Sequence, residues 1–230
     1  MDSLGPYLLG PNDTPENGIY TGDARELAKA IPDESIDLIF TDPPYPREYL
    51  PLYDWLGKMA SRTLKPGGSL LSLCGHAYLP DILDMMRVHL DYHWLNCQYQ
   101  PTSTATATFW PKMVYIRWKP VIWFTNGKYT KRFIMQDGIS PQGFDKRYHS
   151  WGQPIDSAFY WLEKFSERES EITIFDPFTG GGTVPAVCKM LSRKYLAFEI
   201  DPDVAQMARD RVRHTQPPLP IEMPTQEVLL

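Results

Sequence analysis

Long apolar runs, paired cysteines and a phosphate-loop lysine are all missing from this 230-residue chain, and each absence removes a class of function. No stretch approaches the roughly 20 consecutive apolar residues that a membrane span requires, so no membrane partner is expected. The opening residues MDSLGPYLLGPNDTPENG lack a basic start, a sustained apolar segment and a small-residue cleavage site, which argues against a secretory signal and for a cytoplasmic protein. Cys74, Cys97 and Cys188 lie far apart, without the spacing of a zinc site or a disulfide framework. They read as reduced, buried, small apolar residues, and no metal is expected. Net positive charge is lacking too: the formal charge is −5, which by itself weakens attraction to phosphates. Residues 111 to 150 reverse that sign locally. Lys112, Arg117, Lys119, Lys128, Lys131, Arg132, Lys146 and Arg147 stand there against only Asp137 and Asp145, eight cations less two carboxylates, a local +6 that leaves −11 elsewhere. A basic patch on an acidic body suits directed docking onto a polyanion, and equally a solvated loop face.

Short β-branched or aromatic runs alternate with amphipathic helical stretches, which predicts an α/β chain with a mostly parallel sheet wound on both faces. The runs IDLIFT (36 to 41), GSLLSLC (68 to 74), ITIFD (172 to 176) and KYLAFEI (194 to 200) lack clean alternation, as strands covered on both faces do. Between them, Ile155, Phe159, Leu162 and Phe165 form one helical stripe and Val204, Met207, Ala208 and Val212 another. The length suits a single domain over 1–230. The rhythm breaks at approximately 100–150, read as a basic insertion, and the tail 214–230 is Pro-rich and unpatterned.

Three constellations carry chemistry. Asp176-Pro177-Phe178-Thr179-Gly180-Gly181-Gly182-Thr183 stands between a strand and a helix, where consecutive glycines let the backbone turn tightly and approach a ligand. Alone it is a weak signal, since a bland sharp turn looks the same. Glu199 ends the next strand nineteen residues after Gly180, the spacing at which nucleotide-binding α/β folds hold ribose hydroxyls. The loop lacks GxGxxG spacing and a Walker lysine, so an adenosine-like ligand is favoured over a dinucleotide. The third is Asp42-Pro43-Pro44-Tyr45, directly after IDLIFT. Its prolines preset the backbone, so that the Asp42 carboxylate and the Pro43 carbonyl accept both N–H groups of an exocyclic amine while Tyr45 stacks on the base.

TDPPY, DPFTGGGT and RKYLAFEIDPDVAQMARDRV, in that order, together resemble the amino-group DNA methyltransferases, specifically their circularly permuted β class. The resemblance extends to Gly22-Asp23-Ala24 and covers about three quarters of the chain. It implies a Rossmann-like methyltransferase fold with S-adenosylmethionine as cofactor and a short target-recognition region within 100–150. It also implies that Asp23 and the amide of Ala24 meet the cofactor's adenine, that Glu199 meets its ribose, and that Phe178, Gly180 and Gly182, flanked by Asp176 and Thr183, line its methionine end. Asp42, Pro43, Pro44 and Tyr45 then carry catalysis on a flipped base. Asp rather than Ser before Pro-Pro favours adenine N6 over cytosine N4. Lys112, Arg117, Lys119, Lys128, Lys131 and Arg132 are the expected nucleic-acid contacts, with Trp110, Trp118, Trp123 and Tyr129 interleaved. Gln153 replaces the lysine usual before the proline of the family's pre-helix motif, which weakens a cofactor contact. DNA is the expected partner. RNA adenine N6, DNA cytosine N4 and a non-catalytic methyltransferase-like nucleic-acid-binding subunit remain as alternatives, and a homodimer or a partner subunit fits as well.

Overall fold

The computed structural model describes residues 18–99, 107–130, 133–140, 155–166 and 171–216. The expected strands appear as β2 (Ile36–Thr41), β3 (Leu64–Leu73), β9 (Thr173–Asp176) and β10 (Lys194–Glu199), joined by an edge strand β1 (Gly18–Thr21). Three further strands, β4 (Asp91–Tyr99), β7 (Trp118–Thr125) and β8 (Gly138–Ile139), complete an eight-stranded sheet of order β1-β10-β9-β2-β3-β7-β4-β8. The first five strands in that order are parallel, and β7 runs antiparallel to both β3 and β4. This is the mostly parallel mixed sheet expected from the sequence.

Both faces of the sheet are covered, because alternate residues of each strand feed separate cores. Ile39, Phe175, Leu196 and Phe198 face α1 (Ala24–Leu27), α2 (Pro51–Thr63) and α3 (Leu79–Met86). Leu38, Phe40, Ile174 and Ala197 face α4 (Ile155–Ser166), α5 (Thr183–Met190) and α6 (Pro202–His214). No helix among the described residues is long and apolar enough to cross a membrane. The three cysteines are free thiols, with Cys74 and Cys188 buried but Cys97 only half-buried.

Two expectations need correction. The region 100–150, read as an insertion, supplies β7, whose Val121, Ile122 and Phe124 are fully buried at the centre of the sheet. What stands apart from the main sheet is the small hairpin β5 (Ala107–Phe109) and β6 (Val114–Ile116). The stripe on α6 is also shifted. Met207 is exposed, and the buried set is Ala205, Ala208, Arg209, Arg211 and Val212. Two guanidiniums can occupy that face because backbone carbonyls receive them: Arg209 donates to the Ile19 carbonyl at 3.1 Å and Arg211 to the Gly181 carbonyl at 3.1 Å. On α4, the fully buried Trp161 joins the stripe. The tail beyond 216 lies outside the described residues.

Helix α6 presses on the glycine loop. A Cβ on Gly182 would lie 2.8 Å from the Ala208 Cβ and 2.9 Å from its Cα, and Gly182 has φ +74°, whereas a Cβ on Gly180, φ +49°, would meet open space. Left-handed backbone costs about 1–2 kcal/mol for an L-residue and overpacking about 1–3 kcal/mol more. Gly182→Ala should therefore lose about 2–5 kcal/mol of stability and Gly180→Ala about 1–2 kcal/mol. Denaturant midpoints measure both, and equal losses would refute the close α6 contact as the source of the difference.

Candidate active site

The carboxyl ends of the parallel strands open on one edge of the sheet. From β9 the chain passes through α5 to β10 on one side, and from β2 it passes through α2 to β3 on the other. The connections thus diverge between the neighbours β9 and β2, and such a switch point is where open α/β sheets bind ligands. Asp176 ends β9 and Asp42 follows β2 there. The two strand ends are tied by a buried hydrogen bond in which the Thr41 hydroxyl donates to Asp176 Oδ1 at 2.7 Å.

Asp42 is held between two donors. The Tyr45 hydroxyl donates to its Oδ1, and the Lys119 ammonium lies 3.8 Å from its Oδ2. Lys119 also sits over the Tyr45 ring, 5.3 Å from its centroid. Burial, followed by the charge of Asp42, holds the Tyr45 phenol well above the usual range, so it remains a donor. Behind this group Cys74 is pushed up to about 12, chiefly by burial. Tyr53 on α2 is buried, and its hydroxyl has no hydrogen-bond partner among the described residues. Pro43 is buried and Pro44 half-buried, as a rigid support for the tetrapeptide.

Across the switch point the glycine loop is pinned from several sides. Gly180 N donates to Glu199 Oε2 at 2.9 Å, and Asp201 N donates to Oε1 at 2.9 Å. Thr179 N donates to the Phe198 carbonyl at 2.9 Å, and Arg211 reaches Thr183 Oγ1 at 2.9 Å. Phe178 meets Trp55 edge-on at 6.0 Å. Gly22 N donates to the Glu199 carbonyl at 2.8 Å, bringing the turn after β1 beside the same strand end. There Asp23 caps α1 and is ion-paired with Arg25 at 2.6 Å, which lowers the carboxyl's pKa; Ala24 is the first helical residue and buried. Each Glu199 oxygen retains acceptor capacity beyond these bonds, and the space beside Gly180 is open. This carboxylate acceptor and the open space fit a nucleoside whose ribose hydroxyls donate to it. Among the described residues no three His, Cys, Asp or Glu side chains gather as a metal site.

The basic residues expected to act together are divided. Lys112 and Arg117 are exposed on the hairpin segment that leads into β7, and Lys119 is the second residue of β7, at the Asp42 edge. Because β7 runs antiparallel to β3, its far end pairs Thr125 with Ser69, so the exposed Lys128 lies at the opposite edge. Lys131, Arg132 and Gln153 fall outside the described residues. Trp110 is exposed and Trp118 meets His76 edge-on at 4.6 Å, whereas Trp123 and Tyr129 pack together in the core. Sequence reading missed Thr41, Tyr53, Arg209 and Arg211 as supports of the site. Thr41 and the two arginines lie within the motifs TDPPY and RKYLAFEIDPDVAQMARDRV, but nothing local to them shows which distant partner each meets.

Burial pushes the Asp176 carboxyl up to about 7, against the donors Thr41 and Phe178 N, which lower it. An unfolded chain ionises this group above about pH 4. The stabilisation it gives is therefore complete below that pH and is lost as pH rises through 7. Asp176→Asn keeps an acceptor for both donors and cannot ionise. Its stability advantage over the parent chain should grow between about pH 4 and 8, to at most about 4 kcal/mol. Thermal melts across that range measure it, and a difference that stays constant would refute the shifted carboxyl.

No family model matches the chain. It is 24% identical over 240 residues to the type II methyltransferase M.HpaI of Haemophilus parainfluenzae, an alignment that covers 84% of this chain and 73% of that protein. The structure of the PvuII cytosine-N4-specific DNA methyltransferase superposes with a TM-score of 0.74 at 22% identity, covering 88% of this chain and 89% of that one. A DNA modification methylase from Thermus thermophilus, complexed with S-adenosyl-L-methionine, superposes with a TM-score of 0.72 at 20% identity, covering 87% of this chain and 95% of that one. The chain therefore has the methyltransferase fold, and over most of its length its sequence is similar to the type II DNA methyltransferases.

Proposed function

We propose that this chain is an S-adenosylmethionine-dependent DNA methyltransferase of the permuted β class that methylates an exocyclic base amine, N6 of adenine. The observation that carries the reading is the Thr41 to Asp176 bond, because it holds the amine-receptor tetrapeptide and the nucleoside-suited glycine loop side by side at the switch point. The likeness to a methylase complexed with S-adenosyl-L-methionine supports the cofactor.

Held by Glu199 and the glycine loop, S-adenosylmethionine would supply an electrophilic methyl group on its sulfonium, with a neutral thioether as the leaving group. The chain's own part is positioning. Asp42 and the Pro43 carbonyl accept the two amine N–H groups and aim the nitrogen lone pair. As positive charge grows on that nitrogen, the Asp42 carboxylate stabilises it and then takes up the departing proton for release to solvent. Orientation of this kind supplies about 7–11 kcal/mol in favourable systems. Asp before Pro-Pro favours adenine. The likeness to a cytosine-N4-specific enzyme favours N4 of cytosine as the second reading, and mass spectrometry of nucleosides from treated DNA separates the two.

Asp42→Ala should lower methyl transfer by about 10²-fold or more while cofactor affinity by calorimetry changes less than about twofold. Retained turnover would remove Asp42 from this role. Lys112→Glu with Arg117→Glu should weaken DNA binding and lower its salt slope by about two, whereas Lys128→Glu should leave both unchanged. Filter binding across a salt series measures this, and an effect at Lys128 equal to that at the hairpin would place DNA elsewhere.

A further inference from the structure

Lys119 was expected to meet phosphate, and its surroundings suit a different task. Strands β2 and β7 are separated by β3, about 10 Å in two steps of a sheet. Leu38 and Phe40 on β2, Leu71 and Leu73 on β3, and Val121 and Trp123 on β7 all point to the α4–α6 face. By register Asp42 comes level with Leu73 and Val121, and Gly75 and Lys119 stand two residues further along their own strands. Gly75 has no side chain there. The Tyr45 Cβ occupies the space, 3.4 Å from where a Gly75 Cβ would be, and Lys119 crosses the Tyr45 ring to reach Asp42. Both partners of that ion pair are about three-quarters buried, with side-chain exposures of 27% and 24%. A flexible phosphate contact needs no such placement. An ammonium beside the amine-receiving carboxylate forms an acceptor–donor pair.

We propose that Lys119 is a specificity-determining residue that donates a hydrogen bond to the ring nitrogen next to the exocyclic amine, N1 of adenine, while Asp42 accepts from the amine. This assignment rests on the base-methylating function proposed above. Adenine presents a donor amine beside an acceptor nitrogen on its Watson–Crick edge, and cytosine does the same with N4 and N3. Thymine and guanine turn a ring N–H toward that position, which a cation with three donors and no acceptor rejects. A donor at N1 draws electron density away from the amine, so Lys119 acts in choosing and seating the base. It does not raise the amine's nucleophilicity.

Steady-state kinetics on a duplex carrying the methylated site, located by sequencing of modified bases, tests this with the full chain. The target adenine is replaced by 1-deazaadenine, which lacks only N1, or by 7-deazaadenine, which lacks only N7. In the parent enzyme 1-deazaadenine should raise KM about tenfold. Lys119→Met should show that higher KM already with adenine, an unreduced kcat, and no further loss with 1-deazaadenine. Lys119→Arg, which keeps a cationic donor, should retain part of the discrimination, and cofactor calorimetry on each variant checks that the fold persists. The 7-deaza substitution should affect parent and Lys119→Met equally. Equal 1-deaza losses in parent and Lys119→Met, or coupling to N7 in place of N1, would overturn the assignment of Lys119 and leave the methyltransferase reading intact. Absence of transfer to any DNA by the parent chain would overturn both.

Discussion

A buried hydroxyl-to-carboxyl hydrogen bond between adjacent strand ends, Thr41 to Asp176 at 2.7 Å, is the contact on which the site's geometry depends. Both partners are almost fully buried, so neither is solvated by water, and the bond, with Phe178 N as second donor at 3.1 Å, compensates that cost. Its position gives it weight. It lies where connections leave the sheet in opposite directions, so the start of the glycine loop and the start of the tetrapeptide move together. A displacement of one would carry into the other.

The two halves of the site are supported in different ways. The glycine loop is gripped mainly by backbone and by α6: Ala208 lies against Gly182, Arg211 reaches the Gly181 carbonyl, and the Asp201 cap orients Glu199 through its own N–H. That half is rigid because its contacts are short and many of them are buried. The tetrapeptide is held by charge. Asp42 faces the Tyr45 phenol and the Lys119 ammonium, and those are donors an incoming amine can replace. On the proposed function, a carboxylate that is balanced yet exchangeable is suited to receiving a polar base edge, since its charge is compensated before the base arrives.

Much of this was readable in one dimension. The strands β2, β9 and β10 are short apolar runs bounded by Asp, Gly and Pro, and local chemistry of that kind predicts strand ends well. Asp42 to Tyr45, the glycine loop and Glu199 stand at strand ends as the sequence suggests, because each position depends on neighbours in sequence. The division of the basic residues did not. Lys112, Arg117, Lys119 and Lys128 form one cluster in sequence, but β7 passes across the sheet between Lys119 and Lys128 and separates them. The aromatics show the same limit, with Trp123 entering the core while Trp110 stays exposed.

Periodicity, turn chemistry and short spacing are local properties, so the fold class, the order of the motifs and the strand-end positions of Asp42, the glycine loop and Glu199 could be read from the chain alone. The folded chain alone reveals that two arginines of α6 brace the fold from behind, that Thr41 couples the two motifs, and that Lys119 meets Asp42 beside the gap left by Gly75. Those contacts join residues on separate strands and helices. Their partners are selected by strand order and register, which no local pattern encodes.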